Sequence, residues 1–318
     1  MKTKTFIAYA REVAELKKTQ GRISTSRNFT TAINRLESYF DSAGSKHLTF
    51  AQIDNKVIIL FEEWLKLQGI CRNTSACYLR SLTTIWFKAV REGITHANPF
   101  LGTYRGIAKT RKRAIKYEDI LRLRKLDIIK SLKASSRNIT GKQGAQHIRN
   151  LQLARDIFLF SFCARGISFV DLAYLTRQNI NDGFLCYYRR KTGQRIEIRI
   201  EKPMQEILNR MPSSSPYLFP IINETCNPAV IYQQYRNGIT HYNKYLKELG
   251  HMLGVPLTSY VCRHTWATIA RRNQLPVSLI SQALGHQSER TTEIYLSTID
   301  TGAVDDANRT LIKELFKE

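Results

Sequence analysis

The residues that could do chemistry lie closest together near the C-terminus, in the stretch LGHQSERTTEIYL at positions 284–296. This stretch places His286 nine positions before Tyr295, with mostly polar residues between them. A histidine can move a proton, and a tyrosine oxygen can act as a nucleophile. The structural alternative is a histidine at a helix cap and a half-buried helix tyrosine. These residues alone favour neither interpretation, so the rest of the chain must decide.

The chain is strongly basic, which bears on its partner. Its 318 residues include 49 Lys and Arg against 26 Asp and Glu, a formal net charge of +23. Such a charge repels itself in a compact protein unless a polyanion neutralises it, and nucleic acid is the commonest such partner. An anionic membrane surface is the rival, but no basic amphipathic helix and no apolar run of about 18 residues supports it. We expect a cytoplasmic protein with no membrane partner, because the N-terminus contains no apolar segment of secretory type.

The cysteines and histidines show no metal-binding pattern. The six cysteines include no CxxC pair, and the seven histidines include no HxxxH or HExxH spacing. This usage is typical of reduced thiols and not of a disulfide framework or a zinc site. The sequence therefore predicts no metal and no other cofactor.

The first part of the chain has the apolar periodicity of α-helices. The clearest predicted helices cover 24–40 and 56–68, and a third follows residues 73–75, Asn-Thr-Ser, which offer an N-cap. No cluster of catalytic residue types occurs among them. The pattern predicts a small all-helical domain over 1–104.

A basic segment follows this helical domain. Residues 105–125 contain nine basic and two acidic residues. The segment is either a solvated linker or a strap that lies along a phosphate backbone. We predict a basic linker over 105–115, in which Arg111, Lys112 and Arg113 bind DNA.

The remainder, 116–318, forms a second predicted domain. Helical periodicity alternates there with one β-hairpin over 184–200, whose turn is predicted at 192–194. The last predicted helix lies in a tail at 308–316. The predicted fold class is mainly α with a small antiparallel β-sheet.

Four segments of the second domain resemble the motifs of the tyrosine recombinases, also called the phage integrase family. CARGISFVDLAYL (163–175) resembles the first arginine motif, and YYRRKTGQ (187–194) resembles the β-hairpin lysine motif. LTSYVCRHTWAT (257–268) resembles the second arginine motif, and LGHQSERTTEIYL resembles the closing histidine–tyrosine motif. The motifs occur in the family's order. The resemblance implies a helical, SAM-like core-binding domain, a catalytic domain with a C-terminal tail helix, and a site-specific recombinase of the mobile-element type.

The resemblance also implies the chemistry. Tyr295 would attack a DNA phosphodiester, form a 3′-phosphotyrosyl link and release a 5′ hydroxyl, so that a second DNA end could be joined without ATP. Arg165 and Arg263 would bind the non-bridging oxygens, because arginine forks onto phosphate and keeps its proton. His286 would hydrogen-bond a non-bridging oxygen as well.

The predicted hairpin carries the implied general acid. By resemblance, Lys191 protonates the leaving 5′ oxygen. Strand alternation would put Arg190 on the opposite face from Lys191 and Arg189 on the same face, so Arg189 is expected to contact DNA. Asp171 is interpreted either as support that orients an arginine or as a plain N-cap.

One position departs from the family pattern. Three residues before Arg263 the family usually has histidine, and this sequence has Tyr260. A phenol can donate a hydrogen bond to phosphate, but a reference pKa of ~10 makes it a poor proton shuttle at neutral pH. The base that deprotonates Tyr295 therefore stays open. His264 is interpreted as a structural histidine.

The implied partner is double-stranded DNA with specific recombination sites, bound by a homotetramer that holds two sites. A need for accessory DNA-bending proteins stays open, as does the choice among integration, excision and inversion. The early start of the core-binding helices favours an inversion or resolution-type enzyme. The alternative function is a catalytically silent DNA-binding regulator with the same fold, and the complete motif set argues against it. A metal-dependent nuclease would need paired carboxylates, which the motifs lack, and the core-binding domain argues against a type IB topoisomerase.

Overall fold

The chain forms two compact units, residues 1–109 and 110–318. The structure is a computed structural model that describes six ranges of residues: 5–44, 48–108, 113–134, 140–212, 215–223 and 225–296. Within the last range, the side chains of Ile294 and Tyr295 lie outside the description. No helix in these ranges is both long and apolar enough to cross a membrane.

The described part of the first unit is helical. A short 3₁₀ turn, Phe50–Gln52, lies between the second and third helices. The helices are α1 (Phe6–Thr19), α2 (Ile23–Ser42), α3 (Asn55–Leu67) and α4 (Arg72–Arg91).

Helix α3 shows why this sequence forms helices. The Asp54 side chain accepts a hydrogen bond from the Val57 backbone N–H at 2.9 Å and so caps the first turn. Ile58, Phe61 and Leu65 then follow at helical spacing and are all buried. The apolar face is narrower than the sequence suggests, because Leu67 is 83% exposed.

Helix α4 begins earlier than predicted. Its N-cap is Cys71, so residues 73–75 lie inside the first turn and are not the cap. The Asn73 side chain pairs instead with the backbone of Ala108, accepting from its N–H at 2.7 Å and donating to its C=O at 3.0 Å. Arg80 donates to the carbonyls of Arg105 and Gly106, both at 2.8 Å. The start of the predicted linker is therefore held against α4.

The described part of the second unit is mainly helical and contains one sheet. Its helices are α5 (Tyr117–Lys125), α6 (Ile128–Ala134), α7 (Gly141–Cys163), α8 (Phe169–Ala173), α9 (Lys202–Asn209), α10 (Pro228–Leu253), α11 (Val261–Arg272), α12 (Val277–Leu284) and α13 (Glu289–Leu296). The predicted tail helix at 308–316 lies outside the described residues.

The sheet is antiparallel, in the order β1 (Ile180–Asn181), β2 (Phe184–Tyr188) and β3 (Arg195–Arg199). Its register pairs Leu185 with Ile198 and Tyr187 with Ile196, and these four side chains are buried on the core face. The fold class predicted from the sequence is confirmed. The hairpin turn is longer than predicted, because six residues, 189–194, connect β2 to β3. We call these six residues the lysine loop.

Candidate active site

Arg263 is positioned by a tight contact between two motifs. It lies in the first turn of α11, and its side chain is only 4% exposed. It donates to the carbonyl of Gly166 at 3.0 Å and to the carbonyl of Leu284. A Cβ atom on Gly166 would stand 2.7 Å from the Arg263 Cα, so only glycine allows this approach.

Arg165 lies in the same turn, directly after α7. Its φ of +56° is in the left-handed region, which residues other than glycine adopt rarely and at a cost. Together with Gly166, at φ +70°, it turns the chain back towards α11. The turn therefore brings the backbones of the two motif arginines, Arg165 and Arg263, next to each other.

His286 follows α12 in a short segment, Gly285–Gln287, which we call the histidine loop. Its Nε2 lies 3.4 Å from an Arg263 nitrogen, and its Nδ1 lies 2.8 Å from the Thr292 hydroxyl. Arginine can only donate, so Nε2 must carry a lone pair and the proton is assigned to Nδ1. Burial, followed by the charges of Arg263, Arg189 and Lys191, lowers the pKa of His286 to about 4. The imidazole of the free protein is therefore neutral at pH 7.

The prediction that Arg189 lies on an exposed strand face is wrong. Residues 189–194 form a loop, so strand alternation does not apply, and the Arg189 side chain is only 5% exposed. It points into the protein and donates to the carbonyl of Gly285 at 2.6 Å. Burial and then the charge of Arg263 lower its pKa. Arg189 is thus a buried charge beside Arg263 and not an exposed side chain.

Lys191 is exposed in the lysine loop and not at the end of a strand. Two further side chains hold this loop to the histidine loop. The Thr192 hydroxyl donates to the carbonyl of Gly285 at 3.2 Å, and the Gln194 amide donates to the carbonyl of His286 at 3.0 Å. The lysine loop is therefore fixed on one side by the histidine loop.

Asp171 holds the other side of the lysine loop. It is 3% exposed and accepts from the backbone N–H of Arg190 at 2.8 Å. Its second oxygen accepts from the Ser168 hydroxyl at 2.6 Å and lies 3.9 Å from Arg189 Nε. The N-cap of α8 is Ser168 and not Asp171. Asp171 thus lies beside an arginine, as one of the two interpretations held, but that arginine is Arg189.

Tyr260 is the residue before α11 and is 46% exposed. Its ring centroid lies 5.3 Å from that of His264, which is buried in the same helix. An exposed phenol one turn before Arg263 can reach a ligand that Arg263 binds. His264 lies under the surface, where a structural histidine is expected.

The helix α13 contains Tyr295. Thr292, one turn earlier, is fully buried and bonds His286, and Leu296, the last residue of α13, packs in the core beneath α12. The helix is thereby tied to the histidine loop, although the side chain of Tyr295 lies outside the described part. Arg111 and Lys112 also lie outside the described residues, and Arg113 is exposed.

The charges of this centre favour an anion. Two guanidinium groups, Arg189 and Arg263, are buried here, and Asp171 is the buried carboxylate beside them. The neutral His286 contributes no charge. Among the described residues, the site therefore holds an uncompensated positive charge next to exposed Lys191 and Tyr260, which is what binding a phosphate requires.

Three members of this centre were not predicted in these roles: Arg189, Thr192 and Gln194. Their partners lie more than ninety positions further along the chain, and no local pattern signals such contacts. Thr292 lies inside the closing motif, and its spacing of six from His286 could have marked it.

Comparison with known proteins gives consistent results for both units. The phage integrase SAM-like domain matches residues 5–109, and the phage integrase family matches residues 162–301. Tyrosine recombinase XerA of Pyrococcus furiosus is 25% identical over 265 residues, which are 76% of this chain and 89% of that protein.

Two solved structures share the fold. A lambda integrase dimer bound to a COC′ core site is 17% identical, with a TM-score of 0.62 over 94% of this chain and 78% of that one. A lambda integrase tetramer bound to a Holliday junction is 15% identical, with a TM-score of 0.60 over 92% and 78%. The two family matches together cover most of the chain, and the motif order and the fold agree with them. The chain belongs to the phage integrase family, the tyrosine recombinases.

Proposed function

We propose that this protein is a site-specific recombinase that cuts and rejoins duplex DNA through a 3′-phosphotyrosyl intermediate, for integration, excision or inversion of a DNA segment. The observation that carries the proposal is the contact of buried Arg263 with neutral His286, next to the helix that contains Tyr295. A recombinase needs a group that binds phosphate and a nucleophile beside it.

The arginines supply charge to the transition state. Attack on a phosphodiester builds negative charge on the non-bridging oxygens, and fixed cations in a partly buried site stabilise this charge strongly. Arg263 is held by two backbone carbonyls, so it needs little reorganisation when the phosphate arrives. Arg165, in the adjoining turn, is the proposed second cation.

The leaving 5′ oxygen needs a proton, and Lys191 is the proposed donor. Its loop is attached to the histidine loop, so Lys191 stays near the proposed phosphate position.

His286 is the proposed ligand of a further phosphate oxygen. Burial lowers its pKa most, and the charges of Arg263, Arg189 and Lys191 lower it further; a bound phosphate would offset these charges. We therefore propose that the pKa of His286 rises when DNA binds, which makes a proton available at Nε2. Tyr260 is the proposed additional donor.

The proposed partner is double-stranded DNA with specific sites, bound by a homotetramer that holds two sites. The lambda integrase tetramer on a Holliday junction supports such an assembly through the shared fold. The net charge of +23 supports a polyanion as partner, and the strap residues Arg111, Lys112 and Arg113 are proposed to contact its backbone.

The test is covalent trapping. A substrate nicked next to the cleavage position loses a short fragment after attack, so the covalent complex accumulates and is visible on a denaturing gel. We expect Tyr295→Phe to bind DNA with unchanged affinity and to form no covalent complex. Tyr188→Phe, an exposed tyrosine on β2, serves as the control and should form the complex. A covalent complex with Tyr295→Phe, or none with the parent protein on its own recombination site, would reject the proposal.

A further inference from the structure

One of the hydrogen bonds between the lysine loop and the histidine loop is made by a buried side chain. Arg189 donates to the carbonyl of Gly285 at 2.6 Å, across 96 positions of sequence. The approach is close, because a Cβ on Gly285 would stand 3.0 Å from Arg189 Cδ. Gly285 adopts a φ of +62°, so the histidine loop begins with a left-handed turn packed on the arginine stem.

We propose that Arg189 is a positioning residue that fixes Lys191 relative to His286 by joining the lysine loop to the histidine loop. The proposal rests on the proposed function, since it assigns Arg189 an effect on cleavage through those two side chains.

The remaining contacts of the two loops surround this bond. Thr192 also donates to the carbonyl of Gly285, Gln194 donates to the carbonyl of His286, and Gln287 donates back to the carbonyl of Thr192 at 3.3 Å. Four hydrogen bonds therefore join the two loops. Arg189 is the buried member of this set, so water competes least with its hydrogen bond.

Asp171 and Tyr174 hold the opposite side of the lysine loop. Asp171 accepts from the Arg190 backbone N–H, and the Arg190 guanidinium stacks 3.8 Å from the centre of the Tyr174 ring. The loop thus lies between α8, which is part of the first arginine motif, and the histidine loop. Arg189 connects these two supports, because its side chain extends from the Asp171 side to Gly285.

Stability alone does not explain a buried arginine at this position. Its Nε is buried and makes no hydrogen bond within the described structure, and the neighbouring Arg263 repels it. An apolar side chain of similar volume would cost less to bury. The planar guanidinium of Arg189 can donate to the carbonyl of Gly285 and so fix the distance between the two loops, which an apolar side chain cannot do.

Misplacement of a reacting group by about 1 Å costs roughly a hundredfold in rate. We expect Arg189→Gln to slow single-turnover cleavage by about 30- to 100-fold and to leave DNA affinity within about threefold. Arg199→Gln, an exposed arginine on β3 of the same hairpin, removes the same charge and should cleave at the parental rate. A parental rate for Arg189→Gln would overturn the proposal.

A double-mutant cycle tests whether Arg189 acts through Lys191. If it does, Arg189→Gln should slow the Lys191→Ala protein by no more than about threefold, because the group that it positions is gone. A full, multiplicative loss in the double mutant would show that Arg189 acts on the phosphate or the fold by itself, and would overturn the proposal.

A modified substrate separates this proposal from the function it rests on. A sulfur in place of the bridging 5′ oxygen leaves as a thiolate, which needs no general acid. On this substrate, Lys191→Ala should therefore recover most of its lost cleavage rate, and Arg189→Gln should recover part of it. Recovery of Lys191→Ala with none for Arg189→Gln overturns the positioning role alone. If Lys191→Ala does not recover, Lys191 is not the general acid. The double-mutant cycle then still tests whether Arg189 acts through Lys191.

A milder variant covers the case in which Arg189→Gln does not fold, as judged by its thermal unfolding. Gln194→Ala removes one bond between the same two loops at a half-buried position. We expect cleavage to slow by about three- to tenfold with unchanged thermal unfolding. An unchanged cleavage rate in a folded Gln194→Ala protein would count against coupling between the loops.

Discussion

Two buried regions of the molecule differ in their side chains, because one is aromatic and the other is charged. In the first unit, Phe6, Phe50 and Trp86 pack with ring centroids 5.0 to 5.4 Å apart. In the second unit, Arg189 and Arg263 are nearly as buried as these rings. They donate hydrogen bonds to backbone carbonyls, and their positive charges repel each other. The aromatic core gains free energy from burial, whereas burial of two like charges costs free energy. A site that is destabilised by two buried positive charges is suited to a ligand that supplies negative charge.

Removal of Arg263 should give the largest effect and should act on chemistry. We expect Arg263→Ala to slow single-turnover cleavage by about 10³-fold, or roughly 4 kcal/mol, because charge on the phosphate is left uncompensated. Arg271→Ala, at the exposed end of the same helix, is the control and should stay within about threefold. An Arg263→Ala protein that binds DNA and cleaves at a near-parental rate would remove the distinction between the two regions.

The matching change in the aromatic region should act on stability. Phe61 is fully buried, with Tyr39 at 5.6 Å and Trp64 at 6.3 Å between ring centroids. We expect Phe61→Ala to lower the free energy of unfolding of the first unit by about 3 to 4 kcal/mol, as a cavity of phenyl size does. Urea unfolding measures it, with exposed Leu67→Ala as the control. Below its unfolding midpoint, the variant should cleave bound DNA at nearly the parental rate, and a loss as large as that of Arg263→Ala would contradict this.

A partly exposed donor should have a smaller effect than a buried cation. We expect Tyr260→Phe to slow cleavage by about tenfold, or about 1.4 kcal/mol, because one neutral donor is lost while the arginines keep their charge. Tyr260→His should preserve or restore the rate, since it recreates the commoner residue of the family. A Tyr260→Phe protein as inactive as Arg263→Ala would show that the phenol is essential, for example in moving the proton of Tyr295.

A further effect should appear in the pH dependence of stability. The pKa of His286, about 4 in the folded protein, lies below its ordinary value of 6.5. Below pH 6.5 the unfolded chain binds a proton that the folded chain does not, so this residue's contribution to stability falls as the pH drops from 6.5 towards 4. His286→Gln should reduce the loss measured by thermal unfolding over this range, and bound DNA should reduce it as well. Identical curves for parent and variant would place His286 outside the charged centre.

Several elements were accessible from the sequence for identifiable reasons. Helix α3 follows from the spacing of Ile58, Phe61 and Leu65, because a local period fixes which face is buried. The hairpin follows from the alternation in β3, where Ile196 and Ile198 are buried between exposed charges. The cap of α4 was assigned to the wrong residue, because the Asn73 side chain is used at Ala108 instead of in its own turn. At this position, the hydrogen bonds to Ala108 replace the capping bond that local sequence preference favours.

The sequence by itself determined that the protein is basic, mainly helical and a member of a family that acts on DNA, because charge, apolar period and motif order are all properties of the chain as written. Only the tertiary structure decided what Arg189 does. Two residues from Lys191, it was expected on the surface, and it is buried because its fork meets Gly285, 96 positions away. Folding brings such partners together through the packing of whole elements, and no pattern of neighbouring residues contains that distance.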